Sequence, residues 1–382
     1  MWRKCIMEMG KENRRHLILL HHNRGKVKQI PYPVRDSRPG HQRDKREHTM
    51  KKALIASTAL VLSAGVAAAD VTISGYGRTA VDYQEGRDTE AQMSARVRMN
   101  VHATTSTDQG VDFGARLRLQ WDQGDAGIDS IAPGQIYVTA SGFTVAVGNV
   151  GTAYDNAGLL YASEVGLISR SFANSGEFYA YSSKAYGSAA FVDTCDVEEP
   201  EVDCGIIAEN QTRNRLGASV EYAVDALTAR FSYVDPDQTT GSTNEELSVS
   251  VDYDWNQIAL SAAAVKDGAG LDGNDLFFVG AYYTLAGTDN GVGLSYSDNG
   301  SYTDDGTFVD NGKTLVLYGD YVVAPLTTLS AYIANNDSDD NVTDNAFGIG
   351  ARYDLGGAYL AGSLERGFDE DIRGDFGVRF DF

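Results

Sequence analysis

The sequence is short of most features that mark an enzyme, a zinc protein or a helical membrane protein. Three cysteines in 382 residues leave no zinc-type spacing. Five of the six histidines fall before residue 49, so His102 is the only one left to the rest of the chain. No stretch is apolar over the ~20 residues that a membrane-spanning helix needs. Lysine nearly vanishes after residue 69, where Lys184, Lys266 and Lys313 stand against fourteen arginines. Each absence removes a class: zinc chemistry, histidine-rich sites, helical membrane bundles.

What is present begins with a processing signal. Met50-Lys51-Lys52 opens a second N-terminus, Ala53 to Val66 is apolar and small, and Ala67-Ala68-Ala69 precedes Asp70. A positive start, a short apolar run and an A-x-A site describe a secretory signal peptide, and cleavage is expected after Ala69. Export machinery reads a free N-terminus, so residues 1–49 are expected to be an upstream extension from a start site assigned too early, the alternative being a functional pre-extension. The domain from 70 to 382 then stands alone. Residues 1–69 hold 15 of the 32 bases but 5 of the 53 acids, which leaves 17 against 48 and a formal charge of −31. That sign excludes nucleic acid as a partner. Cys195 and Cys204 share one acidic segment, and an exported, oxidising location favours a disulfide between them.

From Asp70 onward apolar and polar residues alternate with period two, the mark of half-buried strands. Val71, Ile73, Val81 and Tyr83 share one face; Thr72, Ser74, Arg78 and Asp82 share the other. Met93, Val97, Met99 and Val101 oppose Arg96, Arg98 and Asn100, and Phe113, Leu117, Leu119 and Trp121 oppose Arg116, Arg118 and Gln120. Thirteen further segments repeat the pattern, which makes sixteen strands. Connections alternate between short turns and longer polar loops, as short periplasmic turns and long outer loops do in an outer-membrane barrel with an even strand number. Tyr83, Trp121, Tyr233, Tyr253, Tyr283, Tyr321 and Tyr353 gather near strand ends, where an interfacial girdle belongs. The expected fold is all-β, a 16-stranded antiparallel transmembrane β-barrel. Residues 150–213 break the alternation, and so long a connection is usually functional. Glu177 to Lys184 belongs to that loop, because a seventeenth strand would leave one terminus on the wrong side.

The last strand, Asp375-Phe376-Gly377-Val378-Arg379-Phe380-Asp381-Phe382, sets four apolar side chains on one face and ends on an aromatic carboxylate. With Ile73-Ser74-Gly75-Tyr76-Gly77-Arg78, Asp108-Gln109-Gly110-Val111-Asp112-Phe113-Gly114-Ala115, Ile131-Ala132-Pro133-Gly134-Gln135 and Tyr233-Val234-Asp235-Pro236-Asp237-Gln238, residues 70–382 resemble the Gram-negative general porins. The likeness is strongest to those of purple photosynthetic alphaproteobacteria. The resemblance implies a homotrimer in the outer membrane, bordered by lipid and lipopolysaccharide, and a pore narrowed by an inward-folded third loop. It also implies that the barrel-assembly machinery reads Phe382. Residues 188–213 look like an insertion relative to the family.

Arg78, Arg96, Arg98, Arg116 and Arg118 lie on the polar face near mid-strand, so they are expected to form one cationic patch at middle height on the lumen wall, facing water. Arginine keeps its charge when crowded. Facing acids are sought in the loop: Asp155 and Glu164, with Glu177 behind them. A cationic wall opposite acids makes a transverse field that orients dipolar solutes. The function expected is passive diffusion of small hydrophilic solutes and ions with weak cation preference. A solute-specific channel is the alternative, for which the inward-pointing Tyr76 and Tyr137 are few. An enzyme is not expected, because His102 is placed beside a periplasmic turn, far from the arginines. No cofactor is required. The acidic outer loops (Asp304-Asp305, Asp337 to Asp340, Asp369-Glu370-Asp371) offer hard oxygen ligands that suit Ca²⁺, without a spaced motif. A solvated rim is the default.

Overall fold

The computed structural model describes residues 70–382 except 124–130, 169–174, 185, 187–189, 194–205, 210–213, 240–243 and 305–306. Its strands close into one antiparallel barrel of sixteen: β1 (Asp70–Gln84), β2 (Ala91–Ser106), β3 (Asp112–Asp122), β4 (Gln135–Ala140), β5 (Phe143–Gly148), β6 (Leu216–Val224), β7 (Leu227–Asp235), β8 (Glu246–Trp255), β9 (Ile258–Lys266), β10 (Leu276–Thr284), β11 (Gly291–Asp298), β12 (Lys313–Ala324), β13 (Thr327–Asn336), β14 (Asn345–Asp354), β15 (Tyr359–Arg366) and β16 (Ile372–Asp381). Each strand pairs with its chain neighbour, and β1 pairs with β16, Tyr76 opposite Asp381. Phe382 finishes the seam by exchanging two backbone hydrogen bonds with Gly75, 2.7 and 2.9 Å. Full closure satisfies every strand edge, which a bilayer demands because it offers no water to unpaired backbone groups.

The two faces differ as the alternation requires. Val97, Leu117, Val145, Phe231, Val249, Leu317, Ile349 and Phe376 are exposed on the outside, where lipid would meet them, and their neighbours along each strand point inward. Trp121, Tyr253, Tyr283, Tyr321 and Tyr353 are likewise exposed, all near strand ends. The short connections are true two-residue hairpins where backbone geometry allows: Ser141 and Gly142 both take positive φ, 52° and 83°, the pairing that matches strand twist. Wall height is uneven. Regular pairing of β4 and β5 covers six residues each, whereas β8, β13 and β14 run ten.

Two small hairpins stand outside the barrel ladder. Ser301–Asp304 pairs with Thr307–Asp310 in a connection expected to be irregular. Ala190–Asp193 pairs with Ile206–Glu209 inside the long loop after β5. Residues 177–182 of that loop carry no strand.

Candidate functional site

The wall comes from the first three strands. Arg78 on β1, Arg96 and Arg98 on β2, and Arg116 and Arg118 on β3 share the lumen-facing side. The register sets Arg78 opposite Arg96, Arg98 opposite Gln120, Arg118 opposite Asn100 and Arg116 opposite His102. The five arginines therefore occupy four successive rows instead of one level. The pairing register sets these rows, and β2 continues to Ser106, two residues into the connection expected at 105–110. The same register corrects the expectation for His102, which pairs with Arg116 and stands within the arginine wall and not apart from it.

The arginines do not stand free in water, as the alternation alone implies. Arg98 Nε donates to Gln120 Oε1 (2.7 Å), Arg118 Nε to Asn100 Oδ1 (2.8 Å) and Arg116 Nη2 to Gln135 Oε1 (2.9 Å). Arg96 pairs with Asp122, and Lys184 lies 3.6 Å from the same carboxylate. Arg78 Nη1 donates to Leu167 O (2.9 Å). Tyr76 adds an inward ring, with Arg379 4.0 Å and Arg98 5.2 Å from its centroid.

The long loop enters the barrel after Gly148 in two described limbs. The first, residues 150–168, runs along the inner wall. Ala153 N donates to Ser232 Oγ, Tyr154 N to Ser248 Oγ and Gly158 N to Asp252 Oδ1. Tyr154, Ala157 and Leu160 pack against Ala263, Val265, Leu276 and Phe278; Val165 packs against Val316, Tyr318 and Tyr332. The limb ends where Asp375 accepts the N–H groups of Leu167 (2.9 Å) and Ile168 (3.2 Å), and Leu167 packs against Ala80 and Ala361. This path needs small inward side chains, and buried serines at 232, 248, 250, 261, 295 and 297 supply them.

The second limb, residues 175–184, returns toward the arginines. Ser175 N donates to Asn299 Oδ1, Tyr179 N to Glu246 Oε2 (2.6 Å), and Ser182 exchanges two hydrogen bonds with the Asn149 side chain (2.7 and 3.0 Å). Tyr181 then covers the wall, its ring centroid 4.2 Å from the guanidinium carbon of Arg116 and 4.5 Å from that of Arg118.

The three expected acids part company here. Asp155 faces the loop itself: it accepts the Tyr161 hydroxyl (2.9 Å) and Tyr181 N (3.4 Å), which braces one limb against the other. Burial raises its carboxyl above the usual range, with the Tyr161 hydroxyl, the Tyr181 N–H and the Arg118 charge opposing. Burial and the neighbouring Asp155 push the Tyr161 hydroxyl up as well. Glu164 is half-buried on the first limb. Glu177 is exposed at the outer rim, where its carbonyl accepts from Asn274 Nδ2 (2.8 Å). Asp155 reaches toward the arginines through Tyr181.

Sequence reasoning missed the anchors: the serine row, the buried carboxylates Glu246, Glu365 and Asp375, and the buried Asn149, Asn274, Asn299 and Asn336. The signal was available, because acids and asparagines at inward positions of barrel strands demand partners. Cys195 and Cys204 lie outside the described residues, as does the cleavage site after Ala69. Among the described residues no group of three or more His, Cys, Asp or Glu side chains is placed to hold a metal ion. In the acidic outer loops Asp337 accepts Lys313 N, and Asp369 and Glu370 pair with Arg373 and Arg366; Asp305 lies outside the described residues.

Known proteins share this geometry. A family model described as Gram-negative porin matches residues 56–374. The porin of Fuscovulum blasticum is 38% identical over 323 residues, which is 82% of this chain and 100% of that protein. Among solved structures, one engineered mutant of the Rh. blastica porin superimposes with a TM-score of 0.71 at 37% identity, and another with 0.70 at 36%. Each covers 82% of this chain and 100% of the other.

Proposed function

This chain belongs to the Gram-negative porin family, a barrel forming a diffusion channel in the outer membrane, and from that premise we propose how it selects what passes. Small hydrophilic solutes and ions cross passively through a lumen narrowed by residues 150–168 and 175–184 against the wall of Arg78, Arg96, Arg98, Arg116 and Arg118. The observation that carries this reading is the loop itself, pinned at both limbs inside a closed barrel. Preference is for cations, because the wall's arginines are engaged while the mature chain holds 48 acids against 17 bases. Asp155 contributes to the narrow section; Glu164 borders it, and Glu177 belongs to the outer vestibule. The functional unit is a homotrimer, exported by cleavage after Ala69, assembled through its terminal Phe382 strand and bordered by lipopolysaccharide that its acidic outer rim meets through divalent ions such as Ca²⁺.

Planar-bilayer recordings test the reading. Conductance should rise linearly with salt and with each small solute, and the reversal potential in a KCl gradient should take the sign of cation preference. Conductance that saturates with one solute would replace general diffusion by a solute-specific channel of the same fold.

A further inference from the structure

The arginine wall carries a lid of its own. The guanidinium carbons of Arg116 and Arg118 both lie over the Tyr181 ring, 4.2 and 4.5 Å from its centroid, a geometry in which the ring's negative face meets guanidinium. Two residues on, Ser183 Oγ accepts from Arg118 Nη1 (2.8 Å) and Arg98 Nη2 (3.3 Å). The strip bearing these residues is fastened on every side. Asn149 holds Ser182, Asp155 holds Tyr181 N, and Glu246 holds Tyr179 N. Arg215 Nη2 donates to Ala180 O (3.0 Å), and its guanidinium carbon lies 4.4 and 4.8 Å from the Tyr179 and Tyr186 ring centroids. A contact so fastened is a fixed part of the wall.

We propose that Tyr181, seconded by Ser183, is the specificity-determining cover of this wall: it denies anions direct approach to Arg98, Arg116 and Arg118, and so lets the chain's acids set ion preference. The inference rests on the channel reading above. Guanidinium binds anions through its N–H edge and stacks through its face. Here Gln120, Asn100 and Gln135 take edge donors, Ser183 takes more, and the Tyr181 ring lies against two of the groups. A small anion in the lumen meets a phenol ring and a hydroxyl where it would otherwise meet three forks. The long-range field of the arginines persists, but anion binding, which needs contact, does not. Among the described residues the Tyr181 hydroxyl has no hydrogen-bond partner, so the ring is the working part.

The test compares Tyr181→Ala, Tyr181→Leu and Tyr181→Phe with the wild type in planar bilayers, after a heat-modified gel mobility assay shows each barrel folded. In a KCl gradient, Tyr181→Ala and Tyr181→Leu should move the reversal potential toward chloride, and inorganic phosphate should reduce their KCl current while leaving the wild type's unchanged. Tyr181→Phe should match the wild type. Adding Arg116→Ala and Arg118→Ala to Tyr181→Ala should abolish the phosphate sensitivity. Wild-type reversal potential and phosphate response in Tyr181→Ala and Tyr181→Leu would overturn the cover alone, as would phosphate sensitivity that survives loss of both arginines. A wild type that forms no channel would overturn the channel reading itself.

Discussion

Asp155 places a carboxylate at the waist of the barrel, and its two hydrogen-bond partners both belong to the loop. Burial holds its carboxyl above the ordinary range, so the folded loop keeps a proton at a pH where the unfolded chain has released it. Its favourable contribution is complete below the unfolded value of about 3.9 and is lost as pH rises through the raised folded value. Two outcomes follow for Asp155→Asn. The stability of the folded barrel should become flat across that window, read as the temperature of the mobility shift on unheated gels at stepped pH. The wild type's cation preference should begin to fall on acidification earlier than ordinary carboxylates titrate, and the variant should lack that early portion. Identical titrations would place Asp155 away from the ion path. At this scale the arginines were legible, because five bases alternate with apolar residues on three neighbouring strands. Their partners were not: Ser183 is 65 residues from Arg118 and 85 from Arg98, and no local pattern encodes a contact at that separation.

The constriction loop succeeds as an element because the barrel makes room for it. Gly166 shows the tolerance. Its φ is +81°, and a β-carbon there would lie 2.5 Å from Ser363 Oγ and 2.6 Å from Asp375 Oδ2, the carboxylate that holds Leu167 and Ile168. Gly166→Ala therefore meets both a strained backbone and its own anchor, and should free the end of the first limb. The expected readout is larger and noisier single-channel current with unchanged barrel yield; a wild-type trace would mean that the limb is held elsewhere. Glu246 is a second test. Its carboxylate is 1% exposed and accepts N–H groups from Tyr179 and Ala269. Glu246→Leu leaves two half-buried donors without their acceptor, at up to roughly 1–3 kcal/mol each, so the variant's gel-shift temperature should drop. The strands were readable from period-two alternation, since each one settles its own faces. The loop's route was not, because it depends on serines of β7, β8, β9 and β11 that read individually as ordinary lumen positions. The hairpin inside the loop pairs Asp193 with Ile206. Beyond that pair the segment lies outside the described residues, so the disulfide expected between Cys195 and Cys204 stands as a proposal. Mass spectrometry of unreduced protein should find the linked peptide, and two alkylatable thiols would refute it.

Across the whole molecule the wall is lowest where the loop leaves it. The six paired residues of β4 and of β5 reach about 20 Å along the strand, and tilt shortens their projection on the bilayer normal, whereas crossing takes about 9–11 residues. Lipid cannot seal so low a wall without thinning, but a second barrel can. We therefore expect the trimer contact on β4 and β5 and the lipid contact on the taller strands. Two matched substitutions separate these surfaces. Ile136 on β4 is 67% exposed and Ile349 near the middle of β14 is 60% exposed, both on the outer face. Lysine at 349 would enter hydrocarbon and cost roughly 2–4 kcal/mol near the midplane, lowering folding yield while barrels that do fold still associate. Lysine at 136 would repeat around a threefold axis and set an unpaired cation into each copy of the contact. Ile136→Lys should therefore give folded monomers in native mass spectrometry, and Ile349→Lys should give fewer barrels but trimers among them. Trimers of wild-type yield and thermal resistance from Ile136→Lys would move the contact off the low wall. That result would leave β4 and β5 facing lipid with too little strand to cross it.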